Sequence, residues 1–191
     1  MIKRFTGFVL VAFLLALIVG CSPNKGPKSF SAKSVSNFGG RKQVSRIYSA
    51  GDKWRLESSV GGIKSLMIIR QDKAVAWILM PAQKMYMAQT LKDDDNIAFS
   101  ADLPGEIKRK KLGKAKVNGV NCEKFEITYK PEEKGKALVV YQWLSSGNIP
   151  IKIKAKNGSW SSELKDIKFG KQADSLFVLP KGYKKFQMPG M

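Results

Sequence analysis

Histidine is absent from the 191-residue sequence, and its absence removes a large part of enzyme chemistry. The chain has no side chain whose ordinary pKa falls between pH 5 and 8, no imidazole metal ligand, and no Ser-His or Cys-His nucleophile pair. Cysteine is nearly absent too. Of the two present, Cys21 and Cys122, the first is reserved for another role described below, so no internal disulfide is expected. Cys122 lies in a segment of alternating apolar residues and reads as a small buried hydrophobe. Acidic residues are few: 15 Asp and Glu stand against 34 Lys and Arg, a formal net charge of +19. The one acidic cluster, Asp93 to Asp95, lacks the glycine and distal glutamate of a calcium loop and reads as a turn or helix cap. No metal site and no catalytic residues are expected, and the chain is not expected to be an enzyme.

Long hydrophobic runs are limited to one. Lys3 and Arg4 precede twelve uninterrupted apolar residues, Phe8 to Val19. A membrane-spanning helix needs about 20 such residues, so the run fits the apolar region of a secretion signal instead. It ends in Ile18-Val19-Gly20-Cys21, which matches the lipobox of bacterial lipoprotein precursors. Residues 1–20 are therefore expected to be a signal peptide cut between Gly20 and Cys21. Cys21 is expected to carry a diacylglyceryl group on its thiol and an acyl group on its new amine, with no other cofactor. Several acyl chains anchor stably where one does not. Residues 21–28, with two prolines and no apolar periodicity, form a flexible tether. Ser22 is not the Asp that retains such proteins at an inner membrane, which points to an outer membrane with the domain facing the periplasm. Loss of Lys3 and Arg4 from the 34 basic residues leaves 32 against 15 acidic ones, a net charge of +17. For an exported, lipid-anchored chain, that charge suggests anionic headgroups rather than nucleic acid.

Residues 29–191 read as one β-rich domain. Turn signals recur about every ten residues, including Gly39-Gly40, Gly51-Asp52, Gly61-Gly62, Asn118-Gly119 and Asn157-Gly158. Between them, apolar and polar residues alternate: Trp54 and Leu56 oppose Lys53, Arg55 and Glu57, and Phe125, Ile127 and Tyr129 oppose Lys124, Glu126 and Thr128. Leu66 to Ile69, Ala74 to Met80 and Ala137 to Leu144 are apolar on both faces and need cover on both. Only 91–105 looks able to form a short helix. Cover is therefore short, and an open apolar cavity follows.

The ordered set Lys53-Trp54-Arg55-Leu56-Glu57, Asp72, Trp77, Pro81, Tyr86, then Gly119-Val120, Cys122, Phe125, Trp143, Ile149-Pro150, Phe177, Leu179-Pro180 and Gly182-Tyr183 resembles the LolA/LolB-type family of lipoprotein-localisation proteins. That resemblance implies a mainly β fold: a curved antiparallel meander sheet forming an incomplete, half β-barrel with one or two short helices. It also implies a concave side that holds acyl chains. Trp54, Met67, Trp77, Met80, Tyr86, Phe99 and Trp143 are the candidate pocket residues, with Met85 and Met87 beside them. The basic run Lys108, Arg109, Lys110, Lys111, Lys114 and Lys116 is the candidate surface for anionic membrane. The expected partners are the membrane and a lipid or acylated lipoprotein, bound without catalysis. The alternative is a protein-interaction or envelope-sensor module whose interior is filled by its own side chains.

Overall fold

The computed structural model describes residues 29–91, 101–130 and 135–186. The signal peptide, Gly20, Cys21, the tether, the Asp93–Asp95 cluster and Phe99 lie outside the described residues.

Two antiparallel meanders build the sheet. The first comprises β1 (Ser29–Phe38), β2 (Arg41–Ala50), β3 (Lys53–Val60), β4 (Ile63–Arg70), β5 (Val75–Met80) and β6 (Met85–Thr90). The second comprises β7 (Glu106–Val117), β8 (Val120–Tyr129), β9 (Leu138–Ser145), β10 (Pro150–Ala155) and β11 (Trp160–Phe169). The expected turn residues join them. Asn118 and Gly119, with φ of 48° and 83°, take the left-handed geometry that a two-residue hairpin requires.

Long-range pairing of β1 with β11 fuses the meanders, together with the two-residue β12 (Lys184–Lys185), into one 12-stranded sheet in the order β12-β6-β5-β4-β3-β2-β1-β11-β10-β9-β8-β7. Among the described residues, β12 makes the one parallel pairing, beside β6. The sheet is curved, open and nearly free of helix, with 3₁₀ turns at Gln71–Lys73 and Asp174–Phe177.

Directly opposed residues share a face of the sheet, so the register sorts the side chains. Phe30, Ala32, Ile47, Trp54, Leu56 and Leu164 fall on the inner face, and they belong to one apolar cluster that also takes in Cys122, Ile149 and Ile151. Burial pushes the Cys122 thiol pKa up, away from nucleophile chemistry. On the outer face Leu66, Ile68 and Leu79 form a second cluster with Phe177. The cover for this face comes from the C-terminal segment after β11, which lies across β3–β6 as a strap.

Two arginines tie the strap down. Arg55 Nη1 donates to the Leu176 carbonyl and Arg70 Nη1 to the Phe177 carbonyl, each at 3.1 Å. Arg70 is buried, and its Nε and Nη2 grip both oxygens of Asp72 at 2.7 and 2.6 Å. The guanidinium holds the Asp72 carboxyl below its usual pKa. The strand around Leu66–Ile69, apolar on both faces, is thus covered twice: by the inner core and by the strap.

Candidate functional site

A concavity of about 390 Å³ opens on the inner face. Leu56 of β3 and Tyr129 of β8 both line it, although six strand spacings separate β3 from β8 in the sheet order. On a flat sheet that is about 29 Å, so the sheet must curl toward this face, and the inner face is the concave one. The volume lies within the usual range for small-molecule pockets, about 300–1,000 Å³.

Its apolar wall carries Ile47, Leu56, Tyr129, Ile153 and Leu164, with Leu103 reaching in from the segment before β7. Phe38 and Trp160 belong to the same lining and stack at 6.1 Å, with Phe38 half exposed to solvent. The floor is serine. Ser34, Ser36, Ser45 and Ser162 line it, with Ser34 directly opposite Ser45 of β2 and Ser36 directly opposite Ser162 of β11. Ser162 Oγ is 2.9 Å from Ser36 Oγ and 3.4 Å from Ser34 Oγ, so these hydroxyls bond among themselves. Small side chains at inward positions leave the space that larger ones would fill.

Arg109 pins the segment entering β7. It donates to both Glu106 carboxylate oxygens at 2.8 and 2.6 Å, to the Ala101 carbonyl at 2.8 Å, and to the buried Gln142 Oε1 at 3.2 Å. Its guanidinium also lies 5.3 Å from the centroid of the Phe125 ring. The guanidinium hydrogen bonds hold the Glu106 carboxyl below its usual pKa against the opposing effect of burial. Lys130 N–H donates to the Gly105 carbonyl at 2.8 Å, at a glycine whose φ is +69°. These contacts keep Leu103 at the mouth of the trough.

The structure separates the residues that the sequence grouped. Trp54, Met67 and Met80 are on the inner face, and Met85 and Met87 join them: Leu56 opposes Met67, Met67 opposes Ile78, Ile78 opposes Met87, and Met80 opposes Met85. They form a half-buried apolar wing on β3–β6, outside the lining of the trough itself. Trp77 and Tyr86 are on the outer face and pack with the cluster under the strap. Trp143 stands opposite Lys124 and Lys152, whose ammonium groups lie 5.1 and 5.7 Å from its ring centroid, and it packs against the cluster that contains Cys122 and Ile149, outside the trough lining.

The basic run is divided as well. It forms the edge strand β7, where Lys108 and Lys110 face outward and Arg109, Lys111, Lys114 and Lys116 face inward by register. Arg109 is spent on Glu106, and Lys111 pairs with Glu123. None of the candidate pocket residues among the described ones lines the trough, and the residues that sequence reasoning missed include Phe38, Leu56, Leu103, Tyr129, Ile153 and Trp160. The available signal was the serines at alternate positions of β1, which mark an inward face with room above it.

A single curved β-sheet left open along one side, with a small-molecule-sized trough on its concave face, defines the class: an open β half-barrel. The chain belongs to the DUF4412 family, described as a domain of unknown function, which matches residues 33–149. That match runs from β1 to the residue before β10 and excludes the strap. No curated protein matches the sequence.

Among solved structures, an uncharacterized conserved protein from Thermus thermophilus is similar at 10% identity and a TM-score of 0.57, over 85% of this chain and 92% of that one. MucB is similar at 12% identity and a TM-score of 0.57, over 83% of this chain and 59% of MucB. The Pseudomonas aeruginosa MucA/MucB complex gives 13% identity and a TM-score of 0.53, over 78% and 55%. This chain thus spans little more than half of the MucB structures it matches. At these identities the likeness is one of fold. The family shown is DUF4412, and the structural likeness adds the curved, open sheet.

Proposed function

We propose that this protein is a lipid-anchored component of the bacterial cell envelope that holds an acyl chain of a lipid, or of an acylated protein, on its concave face. It works by sequestration or transfer, without catalysis. Cys21 is the anchor, and the outer membrane, on its periplasmic side, is the location. One observation carries the reading: the trough of about 390 Å³ with aliphatic and aromatic walls, continued by the methionine wing. Burial of a methylene there is worth about 0.8 kcal/mol, and methionine adapts to chains of varied shape. The exposed face of β7 would lie toward anionic headgroups.

The test is native mass spectrometry of the chain from Ser22 to Met191, secreted to the periplasm and purified without detergent. Co-purified phospholipid or fatty acid is expected, and Ser45→Trp, which fills the floor, is expected to lose it while keeping the wild-type circular dichroism. A bare mass that takes up no added lipid would refute this reading. The remaining reading would be a protein-interaction module, favoured by Ile107 and Leu112, which are largely exposed on the edge strand β7.

A further inference from the structure

A second concavity, of about 540 Å³, lies on the opposite, outer face of the sheet. It is bounded by β1–β4, by Pro81 of the β5–β6 turn, and by Pro180 and Tyr183 of the strap. Its lining carries four cations, Lys33, Arg46, Arg55 and Lys64, against one carboxylate, Glu57. That carboxylate is engaged: Arg55 Nε donates to Glu57 Oε1 at 2.7 Å, and Arg55 Nη1 holds the strap. The charge left facing the cavity is that of Arg46, Lys64 and Lys33, the last in an exposed pair with Asp166 at 2.7 Å.

Lys33 and Arg46 are directly opposed on neighbouring strands, and Arg46 stands opposite Glu57 on its other side. A neighbouring concavity shares the same two residues and adds Lys168 and Asp166. We propose that this outer cavity binds a phosphate group. A guanidinium and two ammonium groups brought together from three strands match an anion with several oxygens and more than one charge. Leu66, Pro81 and Tyr183 give the cavity an apolar side, which accommodates an organic substituent on the phosphate. The cavity and the trough lie on opposite sides of the sheet, with Ser45 of β2 bordering both.

The chain from Ser22 to Met191 is titrated calorimetrically at low salt with two probes. One is inorganic phosphate; the other is dihexanoyl phosphatidylglycerol below its micelle concentration. Saturable binding of at least one probe is expected. The double variant Arg46→Gln/Lys64→Gln is expected to weaken it at least tenfold, and the charge-matched Lys136→Gln/Lys154→Gln less than twofold. If the lipid binds at least tenfold more tightly than phosphate, a lipid headgroup is the source of the anion; equal affinities make it a soluble phosphate. Absence of saturable binding, equal weakening by both double variants, or lipid binding that survives Arg46→Gln/Lys64→Gln would each overturn the proposal. The last outcome would place the lipid in the trough.

Discussion

Replacing Phe177 by alanine tests whether the strap is part of the folded unit. Phe177 has no exposed surface and fills the outer cluster against Leu66, Ile68 and Leu79. A buried phenylalanine removes about 150–250 Å² from water, worth about 4–6 kcal/mol at about 25 cal/mol per Å². Alanine keeps part of that, and measured Phe→Ala costs run about 3–5 kcal/mol. The loss is shared by the sheet, because the strap's partners are mid-strand residues of β4 and β5 and because Arg70 links Phe177 to Asp72. Each kcal/mol lowers Tm by about 2–4 °C in a domain of this size, so a drop of about 10 °C is expected in a melt followed by circular dichroism. Val178→Ala, at a neighbour 45% exposed, serves as the control and should stay within about 0.5 kcal/mol. A Phe177→Ala protein that melts within about 2 °C of the wild type would refute the reasoning, since the strap would then contribute nothing to the cooperative core.

Gly105→Ala should destabilise the entry to β7: a Cβ there would sit 2.0 Å from the Lys130 carbonyl oxygen, at a φ of +69°. The expected loss in urea unfolding is about 1–3 kcal/mol or more, and an unchanged midpoint would show that the segment does not adopt this turn. Stability should also fall in acid through Glu106. Its folded pKa lies below the ordinary glutamate value, so the unfolded chain binds more protons there and stability rises with pH. The contribution is complete above the ordinary value of about 4.3 and is lost as pH falls through the lowered folded value. Melts from neutral pH down to about pH 3 should show this slope, and Glu106→Gln should flatten it; identical pH profiles would refute the clamp.

Within each strand, the sequence by itself determined most of what is seen. The two-residue period puts Trp54 with Leu56 and Phe125 with Ile127, and the Asn118-Gly119 and Asn157-Gly158 turns set the hairpins. That same period also shows why the candidate pocket could not assemble as grouped. Trp77 and Met80 lie three apart in one strand, so they point to opposite faces. Met80 went inward with Met67 and Met85, and Trp77 went outward with Tyr86. Tertiary structure alone decided what covers each face. Pairing of β1 with β11, across more than 120 residues, brings Ser162 to Ser36 and sets the serine floor beneath Phe38 and Trp160. The return of Phe177 onto Leu66 and Leu79 supplies the outer cover that the apolar strands required. Alternation is a local property, fixed by backbone geometry over a few residues. Strand order and the destination of a tail depend on contacts between distant segments, whose free energy no single stretch of sequence carries.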